Sequence, residues 1–167
     1  MTTRGKQLSS TDLAYIAGFV DGEGTIGIYR KYDLRKEWAP GYAERIIIVQ
    51  VDQTPLKFIQ QFFPKSSLSA KKQYFDNHQQ SWNLKYSHTQ AYNLAKAILP
   101  YLKVKRAQAQ TLVEFRENIV HPDKRVSKRL SLEELQRRER LFQQMKELNG
   151  VQPQRLNRKT PQGEVIV

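Results

Sequence analysis

The chain has 167 residues and carries 28 Lys and Arg against 16 Asp and Glu, a formal net charge of +12. It has no cysteine, which excludes disulfides and thiolate metal sites, and no apolar run approaches the ~20 residues a membrane helix needs. Such an excess of cations points to a polyanionic partner, nucleic acid before membrane surface, and any metal must be held by oxygen, which favours a hard cation such as Mg²⁺.

The first predicted element is a helix through Leu13, Ile16, Ala17 and Val20, which share one face, with Ser9 and Ser10 ahead of it as N-caps. Gly18 and Gly22 lie four apart and leave one side bare, the kind of strip that lets a second backbone approach. The helix ends in Asp21-Gly-Glu-Gly24, two acids at the negative end of the dipole, a position that calls for a cation. Thr25 to Tyr32 then alternates as a strand, with Ile26, Ile28 and Arg30 on one face and Gly27, Tyr29, Lys31 and Asp33 on the other.

After a loop over Leu34–Tyr42, Glu44 to Val51 is the strongest strand, with Ile47, Val49 and Val51 on one face and Glu44, Ile46, Ile48 and Gln50 on the other. Pro55 opens a short helix carrying Leu56, Phe58, Ile59, Phe62 and Phe63, which Pro64 ends. A second hairpin follows, Ser67–Phe75 and Gln80–Ser87 around Asp76-Asn-His78, with Trp82, Leu84 and Tyr86 alternating with Ser81, Asn83 and Lys85. On the matching strand Ser69, Lys71 and Gln73 share the polar side. Helices are expected over His88–Leu99 and Val104–Ile119. A basic connector leads to a capping box at Ser131-Leu-Glu-Glu134 and a last helix to Leu148, with Leu135, Leu141, Phe142, Met145 and Leu148 on one side and arginines on the other.

The order implies an α+β fold, an αββαββα core whose four-stranded antiparallel sheet is backed by helices, plus an additional C-terminal helix. The sheet's second face is rich in Lys, Gln, Asn, Ser and Tyr and suits the major groove, where such side chains read base edges. Ile46 and Ile48 are the misfits on it; thymine-methyl contacts or the opposite register would account for them.

Ile16-Ala-Gly-Phe-Val-Asp-Gly-Glu-Gly24 resembles the signature of the LAGLIDADG homing endonucleases: small pair, apolar pair, acid, small residue, second acid, closing glycine. The resemblance covers roughly Leu13 to Ile119. It implies a saddle-shaped DNA-binding sheet in an endonuclease core, residues 1–120; beyond it, composition and the capping box mark 121–150 as basic connector and C-terminal helix of the same domain, and 151–167 as tail. It places the motif's second acid, the metal ligand, on Glu23, with the Gly22 carbonyl beside it, and a structural acid on Asp21. Pro100-Tyr-Leu-Lys-Val-Lys105 resembles the segment that sends a lysine, here Lys105, toward the phosphate, and Gln53 resembles a residue that orients the attacking water. Lys57 or Arg35 would supply a further basic group.

Single-motif members act as homodimers, so Ala17, Gly18, Asp21 and Gly22 are the expected dimer interface. Tyr29, Lys31, Asp33, Glu44, Gln50, Ser69, Lys71, Gln73, Ser81, Asn83 and Lys85 are the expected DNA contacts. The implied activity is site-specific, Mg²⁺- (or Mn²⁺-) dependent cleavage of double-stranded DNA at a long pseudo-palindromic site by an intron-encoded, intracellular enzyme (organelle, or bacterial or archaeal cytoplasm) with no membrane partner. The rival readings are a maturase that binds intron RNA and a DNA-binding regulator without catalysis.

Overall fold

The computed structural model describes residues 8–31, 41–72, 79–119 and 131–150, with Lys31 described in its backbone alone. Helix α1 (Ser10–Glu23) starts on a reciprocal cap: Ser9 Oγ accepts from the Asp12 amide at 3.1 Å, and the Asp12 carboxylate accepts from the Ser9 amide. It runs directly into β1 (Gly24–Lys31). Gly24 makes that junction because of space: a Cβ there would lie 2.7 Å from the Val20 carbonyl oxygen, to which the Gly24 amide donates.

Next come β2 (Gly41–Gln50), α2 (Thr54–Phe62), β3 (Ser67–Ala70), β4 (Trp82–Ser87), α3 (Thr89–Ile98), α4 (Arg106–Glu117) and α5 (Leu132–Leu148). The strands form one antiparallel sheet in the order β1-β2-β4-β3. Its inner face sets Ile26, Ile28, Ile46, Ile48, Leu84 and Tyr86 against Ile16, Ala17 and Val20 of α1 and the apolar stripes of the other helices, in one continuous core. Burial of this apolar surface, at about 25 cal/mol per Å², is the main force holding the layers together. The expected α+β architecture is therefore present, with β3 shorter than anticipated.

The facing of β2 is the main correction. Ile46 and Ile48 are fully buried, and Glu44 is buried with them at 1 % exposure, so these three point inward and Arg45, Ile47 and Val49 outward. Glu44 is held there by Arg116 of α4, whose guanidinium donates to its carboxylate at 3.2 Å, with His88 Nδ1 at 3.7 Å from the second oxygen. A buried acid survives only when paired in this way. Glu44 is thus no DNA contact. Gln50 has the same inward parity, at the end of β2, and its side-chain oxygen accepts from the Val51 amide at 2.8 Å.

Helix α5 packs on α4 and under β1. Glu139 takes both oxygens to Arg30 at 3.0 Å and also accepts from the Tyr42 hydroxyl, while Asn149 Nδ2 donates to the Ile26 carbonyl at 2.9 Å. Burial and then the neighbouring Glu139 push the Tyr42 hydroxyl up to about 12. The Ser131 cap forms through Oγ, but the Glu134 carboxylate turns inward to Arg137 and Arg138 instead of closing the box. Part of the Arg-rich side is therefore tied up within the fold.

Candidate functional site

Two regions meet where α1 passes into β1: the terminus of the motif helix and the open face of the sheet. At the terminus, Asp21 Oδ2 accepts from the amides of Lys103 (2.7 Å) and Val104 (3.2 Å), and Oδ1 from Lys105 (2.8 Å). Burial acts to raise this carboxyl, but the three amides and the Lys105 charge outweigh it and hold it below its ordinary value. Asp21 is therefore a structural clamp within one chain, which removes its carboxylate from the expected dimer contact. Lys105 returns the clamp: its Nζ donates to the Val20 carbonyl at 3.1 Å and to the Asp21 carbonyl. An ammonium on those terminal carbonyls offsets the helix dipole.

Glu23, the last residue of α1, is exposed, and its carboxylate has no partner among the described residues. Gly22 beside it is also exposed. Ala17, by contrast, is fully buried in this chain's own core and offers nothing to a second subunit. The exposed side of α1 runs through Ala14, Tyr15, Gly18 and Gly22. A Cβ added at Gly18 or Gly22 would meet nothing within 4 Å, so no packing among the described residues requires their bareness.

Gln53 stands at the start of α2, half-buried, and its carbonyl accepts from the Lys57 amide at 2.8 Å. It lies three residues past the end of β2, at the sheet end where β1 begins. No hydrogen bond joins its side chain to Glu23 or Lys105. Asp52 is occupied in capping: Oδ1 accepts from the Thr54 amide at 2.8 Å.

The outer face of the sheet is built in rows across the strands. One row is Gly27, Arg45, Ser87; the next is Thr25, Ile47, Lys85, Ser67; the last is Val49, Asn83, Ser69. Tyr29 extends it on β1. Tyr29, Ser69, Asn83 and Lys85 are thus where the alternation put them. Lys71 and Ser81 pair just beyond the regular strands, with the Lys71 amide donating to the Ser81 carbonyl at 2.8 Å. Asp33, Gln73 and Arg35 lie outside the described residues, as does the Lys31 side chain. Arg45 and Thr25 were not anticipated on this face; the signal available for Arg45 was the apolar misfit of Ile46 and Ile48.

No protein-family model and no curated protein matches the sequence. Solved structures do match. I-CvuI in complex with DNA superposes with a TM-score of 0.65 at 20 % identity over 83 % of this chain and 82 % of that one. I-Vdi141I, an archaeal intron-encoded homing endonuclease complexed with DNA, gives 0.65 at 17 % over 84 % and 92 %. The LAGLIDADG homing endonuclease I-GzeII, in complex with its DNA target, gives 0.59 at 16 % over 92 % of this chain and 54 % of its own. The chain has the LAGLIDADG homing-endonuclease fold. Helix α1 carries the stretch Ile16–Gly24 that resembles the LAGLIDADG signature, and leads into β1 at the edge of the four-stranded sheet. Among the described residues no helix is long and apolar enough to cross a membrane.

Proposed function

We propose that this chain is a site-specific homing endonuclease that cuts double-stranded DNA as a homodimer, with a divalent cation of the Mg²⁺ type. The observation that carries this reading is the terminus of α1: an exposed Glu23 with no partner among the described residues, beside a lysine-capped helix end, where the open sheet face begins. A protein that only bound DNA would gain nothing from an acid among phosphates. Supporting it are the DNA complexes of I-CvuI and I-Vdi141I on the same fold, and the presence of Mg or Ca in the two I-CvuI complexes. The chain also aligns to most of I-Vdi141I but to about half of I-GzeII, as a one-repeat subunit would.

The donors fit a hard cation in type. The Glu23 carboxylate and the Gly22 carbonyl would hold it, and both are oxygen. Among the described residues no group of three His, Cys, Asp or Glu converges, so water, phosphate oxygens and a second copy's Glu23 must complete the shell. Such a cation supplies, when bound, water activation and charge stabilisation on the leaving oxygen. The protein's own part is placement. The Asp21 clamp fixes the helix end to the segment before α4, Lys105 sets a positive charge at that end, and the bare strip of Gly18 and Gly22 brings a second Glu23 to the opposite strand.

The test is incubation of purified protein with a library of random duplexes, with and without Mg²⁺, beside Glu23→Gln. The expected result is cation-dependent double-strand cleavage by the wild type. The variant should bind as well or better, having lost a negative charge, with cleavage abolished. Cleavage by Glu23→Gln within tenfold of wild type would refute the assignment, and binding confined to structured RNA would favour the maturase.

A further inference from the structure

The outer face of the sheet carries one side-chain assembly that no feature of the motif or the terminus explains. Gly27 has no side chain, and a Cβ there would lie 3.0 Å from Cε2 of Tyr29, so the Tyr29 ring occupies the space above the glycine. Arg45 is the cross-strand partner of Gly27, and its guanidinium carbon sits 4.8 Å from the centre of that ring. Three residues on two strands thus form a platform: bare glycine, reclining tyrosine, stacked arginine. Stacking removes rotamer freedom from a long side chain before any ligand arrives.

Of the seven described arginines four are held by carboxylates, and Arg45, like Arg106 and Arg140, is not. Arg30 is paired with Glu139, Arg116 with Glu44, and both Arg137 and Arg138 with Glu134. Arg45 makes no ion pair with any described residue; the acid next to it in sequence, Glu44, points into the core. Its cross-strand neighbours on the outer face are Gly27 and Ser87, neither of them charged. Its planar donor edge therefore remains available above an open surface. A guanidinium held in that way matches the paired acceptors N7 and O6 of guanine in the major groove, the commonest specific arginine contact with a base. Lys85, exposed and unstacked one row away, has the loose point charge better suited to phosphate.

We infer that Arg45, set on the Tyr29 platform over Gly27, reads a guanine at one fixed position of each half-site, with Tyr29 as its positioning residue. This rests on the proposed function, in which the sheet docks a duplex.

The experiment is selection of bound duplexes from a randomised library by the full chain, its Arg45→Ala, Arg45→Gln, Tyr29→Phe and Tyr29→Ala variants, with a salt titration of each. Wild type should enrich guanine at one symmetric position per half-site. Arg45→Ala should lose about 10- to 100-fold discrimination there and nowhere else. Arg45→Gln should move the preference toward adenine, whose N6 and N7 suit an amide. Tyr29→Phe should keep the guanine preference and Tyr29→Ala weaken it at that same position, which a merely structural tyrosine would not do. If Arg45→Ala instead weakens all sequences equally and lowers the salt slope by about one, Arg45 is a phosphate contact and the inference is overturned. An unchanged selection profile overturns it as well. A wild type that binds no duplex would sink the proposed function itself, a result distinct from either.

Discussion

Lys105 Nζ donates to the carbonyl oxygen of Val20 at 3.1 Å, so the motif helix ends on an ammonium that comes from 85 residues further along the chain. The last turn of α1 has no basic residue of its own and finishes in two acids. The borrowed cation answers both problems, and the Asp21 carboxylate secures the segment that delivers it.

Lys105→Met should therefore loosen the end of α1. Loss of charged hydrogen bonds to two carbonyls is expected to cost about 1–3 kcal/mol, read as a shift in the urea midpoint at constant slope. Cleavage should fall further than duplex binding, because Glu23 loses its fixed support. Unchanged stability would mean the Lys105 contacts are not maintained in solution.

Asp21 gives a pH dependence whose sign is set by its lowered pKa. Its folded-state contribution is fully present above the ordinary aspartate value of 3.8 and is lost as pH falls through the lower folded value. Asp21→Asn, which turns an amide group toward amide donors, should cost about 1–3 kcal/mol at pH 7. The gap from wild type should narrow at the acid end of that window. Urea unfolding of both proteins at pH 7 and near pH 3 measures it, and a gap that stays constant would contradict the clamp.

Glu44→Gln should act on stability and leave sequence preference alone. The substitution strands Arg116, three-quarters buried, without its anionic partner. Removing one member of a buried pair costs about 3–5 kcal/mol, with the isosteric amide at the low end. Selection on random duplexes should return the wild-type site. A changed site would put Glu44 on the outer face after all.

Gly18→Leu separates fold from assembly. A Cβ at Gly18 meets nothing within 4 Å among the described residues, and the position is exposed, so the variant should fold with a near-native urea midpoint. On the proposed reading it should sediment as a monomer, bind DNA weakly and make no double-strand cut. A wild type that is fully active yet monomeric at micromolar concentration would refute the dimer.

How much of this was legible beforehand depended on how local the deciding forces are. The cap at Ser9, the helix to Glu23 and the inward set Trp82, Leu84, Tyr86 follow from spacing alone, since each contrasts an apolar face with a polar one. The glycine–acid pattern likewise marked the end of α1 as the candidate site. The facing of β2 had no such contrast, because both of its faces carry isoleucine or valine and a one-residue change of facing turns every side chain over. Alternation alone groups Glu44 with Ile46, Ile48 and Gln50 and leaves open which of the two faces is buried. What settled it was Arg116, 72 residues away, which neutralises Glu44 in the core and thereby sends Arg45 to the open face. The bond from Lys105 to Val20 and the inward turn of Arg137 and Arg138 onto Glu134 are of the same kind. The free energy of a buried charge is set by a partner that only the folded chain brings near, whereas periodicity is written into neighbouring residues.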